Sequence, residues 1–446
     1  MRWSERAALL LAKDWRELRA ARAWWLFLVA CGVLTGHAYL TAIATYADVS
    51  GGMGGSGGPA ALASGVSPLD GFVVPLLGAY ALAATLLLPF VAIRVLSAEK
   101  DGGGLGLLLQ GGVRPIAVIG SKFTVTLGGW GVALIPAGVA LLLWRAHGGH
   151  LDGGELAVVL LGHLLLAAWT IALALAAAGW TESASTAAIV TLGVTVATWA
   201  LAFVAAVQGG IAERLAGLTP EDALRVFERG LLSTAVVVAS VVVVLALLAI
   251  AANGLRSARL PRRAASASAV VVLGAALALS GAGLLRASAD LSEDRRNSFP
   301  PADEAALARI GAPVVIEVHL ATEDPRLADL EHGVLDKLRR TVPHLVVRRM
   351  AAGGSSGLFD ADPAYGEVWY RVANRRAMSR STTPEIVLET LYGVAGVAAP
   401  TTGHPDAYPG YPLATHDDVA PWLFFGAWPA FVLLAWRRSR RPPALP

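Results

Sequence analysis

LLSTAVVVASVVVVLALLAIAA (231–252) runs for 22 residues without a charged side chain. At 1.5 Å per residue, an apolar helix of roughly 20 residues crosses the hydrocarbon core of a bilayer. The run is too long for one buried strand, so it reads as a membrane span. Comparable apolar runs occupy about 24–44, 72–93, 123–143, 156–179, 184–207, 267–286 and 420–436. Eight spans are therefore expected. The eighth is the weakest in pattern, being short and carrying Pro421 and Pro429. Only TESA (181–184), a tight turn with Glu182, separates the fourth run from the fifth.

Composition agrees with a mainly α membrane protein. Of 446 residues 55% are hydrophobic and 15% charged, where a soluble domain carries about a quarter charged. A net charge of +3 leaves no basic footprint for nucleic acid. The single cysteine, Cys31, lies within the first apolar run, so neither an internal disulfide nor a thiolate metal cluster is available.

Orientation follows from where lysine and arginine gather. The N-terminal segment holds Arg2 through Arg22. The same side collects Arg94, Lys100, Arg114 and Lys122, then Arg256, Arg259, Arg262 and Arg263, and finally WRRSRR (436–441). The alternate short loops carry few basic residues. Both termini are expected in the cytoplasm, with the chain multi-pass. Residues 1–22 are not a cleavable signal, because charges interrupt them throughout. On a helical wheel Trp3, Ala7, Leu10, Leu11, Trp15 and Leu18 share one side, as in a helix lying along lipid headgroups.

Outside the membrane, SGGMGGSGGPAALASG (50–65) reads as flexible linker, and LTPEDALRVFERG (218–230) as a short helix capped by Thr219. Residues 290–418 form the only soluble domain. A helix at 302–310 precedes a strand at 312–320, a helix at 326–342 and a strand at 344–350. A hairpin at 366–372 and 376–380 and a helix at 384–394 complete it. The β-α-β then β-β-α order is that of a small α/β layer with a thioredoxin-like outline. ATEDPR (321–326) has no cysteine at the first strand-to-helix turn, which excludes thiol redox chemistry.

AEKDGGGLGLLLQGGVRPIAVIGSK (98–122) invites comparison with a phosphate-binding loop. The glycines are wrongly spaced, Gly120-Ser121-Lys122 has the wrong order, and a membrane span follows directly. The chain is therefore not expected to hydrolyse ATP or to be an enzyme. The apolar LGLLLQ (105–110), ringed by charge, suits a contact with another protein.

Here the sequence resembles the type-2 ABC permeases. Arg94, Glu99 and Lys100, spaced R-x-x-x-x-E-K, are similar to the family's R-x-x-x-E-R/K, Leu105, Leu107 and Leu108 to its leucines, Pro115 to its proline, and Lys122 to the lysine before the third span. Gly104 and Gly106 depart from the family's threonine and glutamate. FERGLLSTAVVVASVVVVLALLAIAANGLR (227–256) is similar to the gliding-motility-type subgroup. DLSEDRRNSF (290–299), GAPVVIEVHL (311–320), LEHGVLDKLRR (330–340) and GEVWYRV (366–372) are similar to that permease's auxiliary partner. The resemblance implies five parts. These are an interfacial helix (1–22), a six-span permease (23–256) and a basic linker with a seventh span (257–289). An extracytoplasmic auxiliary domain (290–418) and an eighth span with a basic tail (419–446) follow.

It further implies a separate ATPase subunit, which holds the ATP and magnesium, docked on residues 94–122. The chain itself would carry no cofactor. A homodimer or a related permease would complete the complex, in contact with membrane lipid. The substrate or extracytoplasmic partner stays open, as does a complex that moves its outer domain and transports nothing. Elsewhere, His404, Asp406, His416, Asp417 and Asp418 read as loop rather than metal ligands. His37 and His163 read as interhelical hydrogen-bonding groups, Glu182 as solvated, and Ser233, Thr234 and Ser240 as helix-packing groups.

Overall fold

The computed structural model describes residues 3–50, 67–208, 212, 215–257, 260–321, 324–350, 364–400, 411, 413 and 417–440. The tract 51–66, the loop 351–357 and His404, Asp406 and His416 lie outside them. Helix α1 (Trp3–Ala20) turns at Ala21 into α2 (Arg22–Val49). Next come α3 (Leu69–Asp101), the short α4 (Gly104–Gln110), and a third span made of α5 (Pro115–Ala133) and α6 (Ile135–Ala146). α7 (Gly153–Trp180), α8 (Ala184–Gln208), the short α9 (Pro220–Glu228), α10 (Thr234–Ser257) and α11 (Pro261–Ala282) follow. Seven of these helical segments are long and apolar enough to cross a membrane. The expected cap at Thr219 is present, its Oγ1 accepting from the Asp222 amide at 3.4 Å.

Prolines account for the irregularities in the second and third spans. Proline has no N–H, so the carbonyl four residues back loses its partner. In α3 the helix opens into a π turn at Leu69–Val73, just before Pro75. The third span instead breaks at Leu134, ahead of Pro136.

The eighth apolar run does not reach the length and apolarity of the other seven. It opens as a π turn (Trp422–Ala427), ahead of Pro429, and continues as α16 (Trp428–Ser439). It is nonetheless seated firmly on α2. A methyl group at Gly32 would stand 2.0 Å from Trp428 Cδ1, and one at Gly36 would stand 2.3 Å from Phe424 Cβ. The Gly32-x-x-x-Gly36 spacing thus opens a groove for two aromatic rings, as small residues do at helix interfaces in membranes. The Trp428 indole also donates to the Leu28 carbonyl at 2.9 Å. Since α16 runs antiparallel to α2, both ends of the described chain lie at one end of the bundle.

The α/β layer lies at the other end. A two-stranded ribbon joins β1 (Leu231–Ser233) to β2 (Ser288–Asp290), linking the start of the sixth span to the stalk after the seventh. α12 (Pro301–Leu307) precedes β3 (Val314–Val318), and α13 (Pro325–Leu330) runs through a π turn into α14 (Asp336–Thr341). β4 (Leu345–Arg349), β5 (Val368–Val372), β6 (Arg375–Ser379) and α15 (Pro384–Ala395) complete the layer. The sheet order is β4-β3-β5-β6, with β3 and β4 parallel and the other pairs antiparallel. The expected succession of strands and helices is the one observed. Val314, Ile316, Val318, Val368, Tyr370 and Val372 form its inner face, packed with Leu330, Val334, Leu338, Val387 and Leu391.

Candidate functional site

The segment between spans two and three folds as helix, turn, short helix, turn, helix. Gly103 reverses the chain with φ +71°, and Gly112 does so again at +81°, backbone values that glycine adopts without a Cβ clash. Gly120, Ser121 and Lys122 lie inside α5, so they form no loop and no nest of free amides.

At this segment's core is a buried ion cluster. Lys122 is fully enclosed; its Nζ lies 2.6 Å from Glu99 Oε2, 3.2 Å from Asp14 Oδ1 and 3.6 Å from Glu17 Oε2. It also donates to the Val95 carbonyl at 3.2 Å. Lys13 pairs with the other Glu99 oxygen, and Ser121 Oγ donates to Asp14 Oδ2 at 2.5 Å. Burial opposes the charge on Lys13, but its hydrogen bond to Glu99 and the charges of Asp14, Glu99 and Glu17 outweigh it and raise its pKa. Three elements meet here: α1 through Lys13, Asp14 and Glu17, the end of α3 through Glu99, and the start of α5 through Ser121 and Lys122. Although Asp14, Glu17 and Glu99 stand close enough together for a cation, the two lysine ammoniums already fill that role.

Lys100 also turns inward. Its ammonium donates to the carbonyls of Ala178, Gly179 and Thr181 at 2.5, 3.1 and 3.0 Å, closing the C-terminal end of α7. A cation there satisfies orphan carbonyls and complements the helix dipole.

The eight residues proposed to meet an ATPase therefore divide. Glu99, Lys100 and Lys122 are spent on internal bonds, and Leu105 is buried. Leu108 and Pro115 are half-buried. Arg94 is exposed, and Leu107 is 72% exposed, with Arg114 and Ile116 exposed beside it. Lys13, Asp14, Glu17 and Ser121 escaped the sequence reading. The signal was Asp14, an acid spaced three residues from Leu11 and four from Leu18 on the apolar side of α1.

The opposite end of the same helix α3 carries a second polar junction. Arg296, in the stalk after β2, pairs with Asp70 and Asp294 and donates to Ser67 Oγ at 2.6 Å. Burial alone would lower its pKa; the hydrogen bond to Asp294 and the charge of Asp70 outweigh this and raise it. The Glu293 amide donates to Glu155 Oε1 on α7 at 2.8 Å, and Tyr411 donates to Glu293 Oε1 at 2.5 Å. Asn297 donates to the Arg229 carbonyl at 2.6 Å. The stalk is thus bonded to spans two and four and to the end of α9.

Other singled-out residues have structural places. Asp417 is buried, accepts from Tyr39 at 2.8 Å and from the Val419 and Ala420 amides at 2.9 Å each; it caps the last helix. Asp418 and Glu182 are exposed. His37 is exposed on α2, so the interhelical role expected of it is not served by burial. His163 is buried, but its Nε2 lacks a hydrogen-bond partner and stands 3.9 Å from Glu228 Oε1. Ser233 belongs to the β1–β2 ribbon, while Ser240 bonds back to Val236 at 2.8 Å in its own helix rather than to a neighbour. Thr234 donates its amide to the Ala287 carbonyl at 3.0 Å, beside the ribbon.

Compared with known proteins, the chain matches no family model, no curated protein and no solved structure.

Proposed function

We propose that this chain is the membrane subunit of an ABC transporter, of the type-2 kind, coupling ATP hydrolysis by a separate ATPase to movement of a substrate across the bacterial inner membrane. The observation that carries the reading is the three-way lock around Lys122. It fixes a surface helix to the facing ends of spans two and three and leaves Leu107, Arg114 and Ile116 presented beside it. A push received on α4 would pass into both spans, because the buried ion pairs resist sliding. By the positive-inside rule the basic residues at this end support a cytoplasmic position for it, with the α/β layer outside. ATP and magnesium belong to the partner. Spans five and seven leave most of their side chains exposed, a surface for lipid or for a second permease copy.

The test is co-purification with a candidate ABC ATPase subunit, plus stimulation of its ATPase rate. Leu107→Lys and Arg114→Glu, both on the surface, are expected to abolish association while the protein stays monodisperse. Unchanged association and stimulation would overturn the coupling assignment.

A second reading is favoured by one observation. Helix α3 is ion-paired at both ends, to Arg296 of the stalk and to Lys13 and Lys122. Such a rod would carry ATP-driven movement to the α/β layer without cargo. Reconstituted vesicles separate the two readings: ATP-dependent substrate movement supports transport, and a blank across lipid, peptide and ion classes supports mechanical signalling.

A further inference from the structure

The β-sheet of the α/β layer has one face packed and one face open. Strand register places the open-face side chains in rows across β4, β3, β5 and β6. One row is Val346, Val315, Arg371, Arg376; the next is Arg348, Glu317, Trp369, Met378. Val346 and Met378 are 47% and 41% exposed. Between the rows is a hollow of about 160 Å³, lined by Glu317, His319, Trp369, Tyr370, Arg371 and Arg376.

The charges on this face do not balance. Glu317 is shared by Arg348 and Arg371, at 3.6 and 3.5 Å, and Glu367 is held by Arg380 at 3.0 Å. Arg376 has no carboxylate partner among the described residues; its guanidinium sits 5.6 Å from the centre of the Trp369 ring. Arg371 and Arg376 are direct cross-strand partners. Like charges directly opposite each other on one face destabilise a hairpin. Bringing two guanidiniums together beside a hollow therefore costs the free domain stability, a cost that a bound anion removes. Guanidinium forks match carboxylates bidentately, and the intervening Val315, Val346 and Met378 offer apolar contact.

We propose that this open sheet face is a docking surface for an acidic polypeptide segment of another protein, held by Arg371 and Arg376. This goes beyond the ABC reading and does not depend on it. A peptide suits the face better than a bilayer. Arg371 and Arg376 continue a single row with Val315 and Val346 across adjacent strands, an arrangement that suits one extended segment better than a plane of lipid phosphates.

The experiment uses the full chain in phosphatidylcholine nanodiscs, with a fluorescein-labelled oligoglutamate followed by polarisation. Binding is expected at low salt and should fade at high salt as the charges are screened. Arg371→Gln/Arg376→Gln should weaken it by at least about tenfold, the worth of losing one or two charge-assisted contacts. Arg225→Gln/Arg309→Gln removes the same charge elsewhere and should change affinity by less than about twofold, the level of an exposed surface charge. Glu317→Gln frees Arg348 and Arg371 and should tighten binding, an effect that misfolding would not mimic. Equal affinity in wild type and the Arg371/Arg376 variant overturns the proposal. So does preferential binding to phosphatidylglycerol vesicles over oligoglutamate, which would make the face a membrane contact.

Discussion

Replacing Lys122 with methionine tests the lock between α1, α3 and α5 most directly. Methionine keeps an unbranched chain of similar volume, so the loss is chiefly the charge and its bonds. In the native cluster two lysines face three carboxylates, leaving one net negative charge; with Lys13 alone, two remain. Asp14 and Glu99 are 1% and 7% exposed, so water cannot take over from the missing ammonium. Glu17, with a side chain 40% exposed, contributes little. Breaking a buried pair by removing one partner costs about 3–5 kcal/mol. For a bundle of about 250 residues each kcal/mol is worth ~2–4 °C, so melting should fall by ~6–20 °C. The assay is the temperature at which detergent-solubilised protein leaves the monodisperse peak, with protease sensitivity of residues 3–20 followed in parallel. Lys122→Met/Glu99→Gln removes one charge of each sign and should recover part of the loss, with a coupling of about 0.5–3 kcal/mol. A cost for Lys122→Met below ~1 kcal/mol, the range of a surface ion pair, would refute the lock. Strict additivity in the double variant would do the same.

Three further outcomes are expected. Gly36→Ala places a methyl group 2.3 Å from Phe424 Cβ; overpacking of this kind costs about 1–3 kcal/mol, seen as lower thermal stability and faster proteolysis of residues 417–440. Asp290 is held below its ordinary 3.8. Burial alone would raise it, but hydrogen bonds from Ser292, Ser298 and Asn297 outweigh burial. Its stabilisation is therefore present above about pH 4 and lost as pH falls through the depressed value, and Asp290→Asn should flatten that acid limb of a pH–stability curve. Cys31 is wholly buried, so maleimide should label the native protein slowly and the SDS-denatured protein at once; fast native labelling would contradict the packing of α2.

Charged residues at the 94–122 segment show where sequence reading stops. Glu99, Lys100 and Lys122 look like surface charges in the sequence, since each sits in a polar stretch between two spans. Their partners in the fold include Lys13, Ala178 and Asp14, which lie 86, 78 and 108 residues away from Glu99, Lys100 and Lys122 in turn. No local pattern encodes such distances. The weak eighth run illustrates the same limit. Its prolines and short length argue against a span, while its place in the bundle comes from Gly32 and Gly36, about 390 residues earlier, whose missing side chains admit Phe424 and Trp428.

By contrast, the apolar runs, the cap at Thr219 and the strand–helix succession of residues 302–395 were legible from the residues alone. Each depends on neighbours within a few positions. A 22-residue stretch without charge needs only its own length to demand a bilayer, and the β-branched Val314, Val315, Ile316 and Val318 need only their own propensity to favour a strand. Tertiary structure decided which charges are exposed and which are paired. Burial turns an ion from a surface contact into a tie between helices, and burial depends on what folds over it. Sequence alone determined a membrane bundle with one α/β layer. Only the packing determined that Lys122 binds the bundle together and that Leu107 is left on its surface.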